Sequence, residues 1–322
     1  MIPLILIVLA TGCASYRQTG QPTPETHWAY LPSHGQDLFA RFAPIVIPDM
    51  PQHQYNRIGK VAARLDEQGR EELYVDPGTA VYYVQQQMFH AQHGRYTNLI
   101  YRLHFERVPY SLIPFHLTAG KNGGLFIIVT LNQAQQPVLI STVHTCGCYL
   151  AFLPTSYLPD DALPEDWVGI LQSVYGEQLP RQLRFPAEFD PDYHPVIYLR
   201  SGTHRVMDVK IDMPQRLAHN HRILPVEIEP MSKLKHIPLD GGTTSFYATE
   251  GIRKGYVKNT YKPFEFLLMS WWALDIHIGV DKELGDSREV GTVFYTSLKP
   301  WNRETSDMWH FADFLAFWGW RL

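Results

Sequence analysis

Residues 96–106, Tyr-Thr-Asn-Leu-Ile-Tyr-Arg-Leu-His-Phe-Glu, place Leu99, Tyr101, Leu103 and Phe105 on one side of an extended chain and Arg102, His104 and Glu106 on the other. Side chains of a strand alternate between faces, so this period of two predicts a half-buried β-strand. The segments around it read the same way. Leu125 to Leu131, a polar turn at 132–137 and Val138 to Leu150 form a candidate hairpin rich in β-branched and aromatic residues. A second hairpin runs from Tyr55 to Leu65, turns at Asp66-Glu67-Gln68-Gly69 and returns through Leu73 to Asp76. Two short strands, Val196 to Leu199 and Val206 to Ile211, flank a break at Ser201-Gly202.

Two helices are predicted near the C-terminus. Phe264 to Leu274 (FEFLLMSWWAL) is apolar nearly all round and reads as a core helix, too short to span a bilayer. Ser306 is placed to cap a second helix ending near Trp318, with Gly319 as its stop. The predicted class is therefore mainly β: an antiparallel, sandwich-like α+β domain with two C-terminal helices packed on the sheet. It occupies 28–322 as one domain or as two packed subdomains, because no internal repeat or convincing second linker interrupts it. The charge of −4 is modest and the Lys and Arg residues are scattered, which argues against nucleic acid as a partner.

The N-terminus gives an address. Ile2 to Gly12 is an uncharged, mostly apolar run that closes on Ala10-Thr11-Gly12-Cys13, followed by Ala14-Ser15. Small residues before a cleavage point suit a signal peptidase, and with cysteine immediately after them the segment resembles the lipobox of bacterial lipoproteins. That resemblance implies a signal peptide at 1–12, acylation of Cys13, and attachment to a membrane of the cell envelope. Ala14 after the cysteine implies the outer membrane, facing the periplasm. Residues 13–27, polar with two prolines, read as the tether.

The stretch His144-Thr145-Cys146-Gly147-Cys148 carries the most unusual chemistry. If it continues a strand from Val138, His144, Cys146 and Cys148 share one face, and imidazole with two thiolates suits zinc or copper. His204 is the first choice for a fourth ligand, with His219 and His221 as alternatives. A second reading is redox. With Cys13 acylated, Cys146 and Cys148 are the remaining thiols, and a kink at Gly147 would let them form a strained, easily reduced disulfide. A third makes one cysteine a nucleophile with a histidine as base. In the bland reading, both are small buried hydrophobes. His90 and His93 would share a helical face, but the sequence lacks the Glu of a zinc-protease motif. Asp275, Asp281 and Asp286 lack calcium-loop spacing. The functional expectation is an envelope lipoprotein binding a metal or small ligand at the His/Cys site. The alternatives are a thiol- or metal-dependent envelope hydrolase, a thiol oxidoreductase, and a non-enzymatic assembly factor.

Overall fold

In the computed structural model, residues 27–33 and 37–322 are described. The lipobox at Cys13 and nearly all of the tether lie outside them. Twelve strands among the described residues join one sheet, which curls into a half-barrel. They are β1 (Trp28–Pro32), β2 (Ile45–Pro48), β3 (Ile58–Leu65), β4 (Glu71–Asp76), β5 (Val81–Ala91), β6 (Gly94–Phe105), β7 (Gly124–Leu131), β8 (Pro137–His144), β9 (Ala151–Pro154), β10 (His194–Leu199), β11 (Val206–Asp212) and β12 (Arg222–Pro230). Their order across the sheet is β9-β8-β7-β6-β5-β12-β1-β2-β10-β11, with β3 and β4 branching from β6.

The antiparallel expectation holds for one half only. From β5 to β9 each strand pairs antiparallel with its sequence neighbour, as in Leu99↔Val129 and Ile140↔Val129. In the other half, β12 runs parallel to both β5 and β1, and β10 runs parallel to β2. The sheet is therefore mixed and continuous rather than two facing antiparallel layers. The proposed helical pair His90 and His93 is also corrected. β5 and β6 close a tight hairpin at Ala91↔Gly94, and Gly94 takes the positive φ that the turn requires.

Both faces of the central strands are covered. One face packs Ile100, Phe126, Ile128 and Val143 against the C-terminal Phe294, Phe311 and Phe314. The opposite face sets Leu99, Tyr101, Leu103 and Ile127 against Ile197 and Val209. Every residue of β7 and β8 is buried in consequence, which explains why Leu125 to Leu131 is apolar almost without alternation. Arg102 and His104, expected on a solvent face, are fully buried. Arg102 offsets its desolvation by donating from Nε to His104 Nε2 at 2.9 Å and from Nη1 to the Lys282 carbonyl at 2.9 Å. Its guanidinium also lies over the rings of Phe126 and Tyr247.

The C-terminal helices are present with altered roles. α1 (Pro263–Ala273) starts on a proline, which suits a first helical turn. It is not a core helix: among its residues only Glu265 and Ala273 are buried, and Leu267 and Trp271 are 70% and 74% exposed. α2 (Phe311–Phe317) is shorter than predicted. It buries Phe311, Phe314 and Leu315 on the sheet, and Gly319 follows at positive φ. Ser306 does not cap it; its hydroxyl accepts instead from the backbone N–H groups of Thr296 and Ser297.

Candidate functional site: a buried dithiol

β8 ends at His144, and the chain turns before returning as β9. The Gly147 N–H donates to the His144 carbonyl at 2.7 Å, and the His144 N–H donates to the Cys148 carbonyl at 2.9 Å. This pair of bonds closes a three-residue hairpin loop whose last position demands positive φ, and Gly147 has φ +96. A Cβ at Gly147 would collide with the Tyr295 carbonyl oxygen, so close approach and backbone conformation both require glycine. The predicted strand through Cys148 is thus replaced by a bulged loop, and the kink falls at Gly147.

Charged groups hold this loop from below. Thr145 donates its hydroxyl to the Asp281 carboxylate, and the Lys262 ammonium stands 3.4 Å from the same carboxylate. Lys282 Nζ donates to the Cys146 carbonyl at 2.6 Å, and its own N–H donates to the Thr145 carbonyl at 2.8 Å. The Lys282 ammonium also sits 4.2 Å from the centre of the Tyr295 ring.

Both thiols are free. Cys146 is 2% exposed, whereas Cys148 is partly accessible and lines a cavity of about 270 Å³ with Tyr149, Tyr175, Arg205, Glu265 and Met269. Two larger open clefts, of about 400 and about 500 Å³, contain no cysteine. The Cys148 Sγ lies 3.8 Å from Glu265 Oε1. The other Glu265 oxygen has no hydrogen-bond partner among the described residues and fits only because Gly279 has no side chain.

This environment sets the proton inventory. A hydrogen bond from Cys148 pulls the Cys146 thiol below its ordinary value. Burial opposes that, and the Lys262 and Lys282 ammoniums help. Cys148 is pushed up by the same hydrogen bond and by burial. The pair therefore holds one shared proton and one negative charge near neutrality. Burial raises Glu265 to about 8, against the pull of Lys262, so this carboxyl is neutral at pH 7. Burial works against the Lys262 ammonium, but Asp281 and Cys146 hold it above the usual lysine range. Lys282 is lowered by burial.

The histidines proposed as metal ligands point elsewhere. His144 Nε2 hydrogen-bonds the His204 carbonyl at 3.2 Å, and its ring meets Tyr149 edge-on. His204 Nε2 bonds the Tyr55 carbonyl at 2.8 Å while its ring stacks on Phe105, 3.9 Å between centroids. Burial lowers both histidines to about 3, which keeps them neutral. His219 and His221 engage the carbonyls of Arg216 and Leu217 in a separate turn. Among the described residues, no group of three or more His, Cys, Asp or Glu side chains is placed to hold a metal ion. His144, Cys146, Cys148 and His204 are therefore not assembled into one ligand set. The sequence reading missed Lys262, Glu265 and Lys282 as members of the site. One signal was available for Glu265, the only charge in FEFLLMSWWAL, since a lone carboxylate in an apolar run is costly unless used.

No family model, no curated protein and no solved structure matches the chain.

Proposed function

We propose that the protein is a cell-envelope lipoprotein, anchored through Cys13, whose Cys146–Cys148 pair carries out thiol–disulfide exchange. The observation that carries this reading is the pairing of an accessible and a buried thiol on one glycine-bulged loop, with lysines beside the buried sulfur. Proton transfer within the pair moves the thiolate to Cys148, which faces the cavity. That thiolate attacks one sulfur of a substrate disulfide R–S–S–R′, the S–S bond breaks, and R′–S⁻ leaves with the proton of Glu265. The Glu265 carboxylate then takes the proton of Cys146. The Cys146 thiolate attacks Cys148 Sγ, releasing R–S⁻ and leaving a Cys146–Cys148 disulfide. Two electrons pass from the dithiol to the substrate, and the reverse sequence oxidises a substrate dithiol. A group titrating at about 8 can both give and take a proton near neutrality.

Thiol alkylation of the full chain against pH tests this reading. The dithiol should react as a thiolate below the usual cysteine range, and Lys262→Met should move the profile upward by about one pH unit as a nearby positive charge is lost. Glutathione disulfide should convert Cys146 and Cys148 into an intramolecular disulfide, detected as loss of two hydrogens, and Cys148→Ser should abolish it. Ordinary alkylation pKa values and no such bond would overturn the redox reading. One equivalent of zinc or copper, lost in Cys146→Ser, would replace it with the metal reading. Acylation is tested separately by the mass of the N-terminal peptide, where an unmodified Cys13 removes the lipoprotein assignment.

A further inference from the structure

α1 presents an outward face that is apolar throughout. Its one charge, Glu265, points inward to the dithiol, while Leu267, Leu268, Trp271 and Trp272 are exposed. Beside it, residues 110–115 expose Tyr110, Leu112 and Ile113, the last at 95%. Phe264 joins the two elements, its ring 5.1 Å from Phe115 and 5.9 Å from Tyr110. These two segments carry nine of the 22 large apolar side chains exposed among the described residues. Soluble monomers rarely gather such residues into one continuous surface.

We propose that this face rests in the interfacial layer of a lipid bilayer. Its mixture of tryptophan and tyrosine with leucine and isoleucine, uninterrupted by charge along α1, is the composition that partitions between headgroups and acyl chains. No helix among the described residues is long and apolar enough to cross a membrane, so the contact is with the surface. Proximity rests on the lipoprotein reading: extended, the chain from Cys13 to His27 spans at most about 50 Å. A domain of this length has a radius of gyration of about 19 Å, so the tether holds it within roughly one diameter of the bilayer. Glu265 and Met269 of α1 line the dithiol cavity together with Leu117. A docked α1 therefore sets Cys148 at the membrane surface, and the disulfide substrate is one presented there.

Flotation of the processed chain, begun at residue 13 and carrying Cys13→Ser so that neither the apolar run 2–12 nor an acyl group is present, with vesicles of phosphatidylethanolamine and phosphatidylglycerol separates docking from acylation. The unlipidated protein should float. Leu267→Glu with Trp271→Glu should lower its partition by about tenfold or more, because two side chains lose their apolar burial. The milder pair Leu267→Ala and Trp271→Ala should act in the same direction, and Met88→Glu, on an exposed position of β5, should change nothing. Failure of the Cys13→Ser protein to float, or flotation indifferent to both α1 pairs, overturns the proposal. A dimer in light scattering that Leu267→Glu and Trp271→Glu turn into a monomer would assign the face to a second copy and also overturn it. An unmodified Cys13 in cells would end the lipoprotein reading while leaving the vesicle result intact.

Discussion

β8 and α1 are both apolar segments of similar length, yet the fold uses them in opposite ways. Each of the eight residues of β8 is buried, including Ser141, Thr142 and His144. α1 has eleven residues and buries two, one of them a carboxylic acid. β8 is paired on both sides, by β7 and β9, in a sheet covered on both faces, so its neighbours bury whatever it carries. α1 covers the edge of a site and contributes inward only what that site uses, leaving its apolar face outside. Apolar composition alone therefore does not assign burial, since the element packed against a segment determines which side chains are enclosed.

The strongest challenge to this contrast lies in the sheet. Phe126 of β7 is fully buried between Phe294 and the Arg102 guanidinium. Phe126→Ala should destabilise the protein by about 3–5 kcal/mol in denaturant unfolding, from lost transfer free energy plus a cavity. A loss under 1 kcal/mol would mean that the double-covered sheet is not the stabilising centre.

Glu265 tests the inward side of α1. Its folded value of about 8 lies above its ordinary 4.5, so the native state holds a proton that the unfolded chain releases. Its contribution to stability is thus fully present below pH 4.5 and is lost as pH rises through about 8. Glu265→Gln, which keeps the shape without the charge, should raise stability at pH 9 by about 4 kcal/mol relative to the parent and by less than about 1 kcal/mol at pH 5. His144 and His204, lowered to about 3, act in the opposite window, and their contribution is lost as pH falls from 6.5 toward that value. Parallel stability curves for parent and Glu265→Gln across pH 5 to 9 would show that Glu265 is ionised in the fold.

The strand at 96–106 and the hairpins β3–β4 and β7–β8 were legible because their alternation and turn residues are local, whereas β5 was not, its end at His90 and the following His93 having been read as a helical face. The parallel half was not, because the partners of β12, β1 and β5 are brought together from distant parts of the chain and leave no local pattern. The site divided in the same way. Cys146, Gly147 and Cys148 are adjacent and were found together, with the kink placed at Gly147. Lys262, Glu265, Asp281 and Lys282 come to the loop from more than a hundred residues away, so no local pattern pairs them with it. His204 was chosen for its residue type, but stacking on Phe105 and the bond to Tyr55 fix its ring in another direction.

The smallest expected effect is the one that isolates the outer face of α1. Trp271 is 74% exposed and makes no hydrogen bond among the described residues, so its replacement removes almost nothing from the core. Trp271→Ala should therefore change unfolding free energy by no more than about 0.5 kcal/mol, within the ordinary range for surface positions. A tryptophan that stabilised the domain by packing would cost about 3 kcal/mol or more, so denaturant unfolding separates the cases cleanly. If the loss is large, α1 is closed down on the sheet in solution and the contrast with β8 collapses. If it is negligible while vesicle partition falls, the outer face of α1 acts on something other than its own fold. Its buried Glu265 would then be the feature that ties this helix to the dithiol.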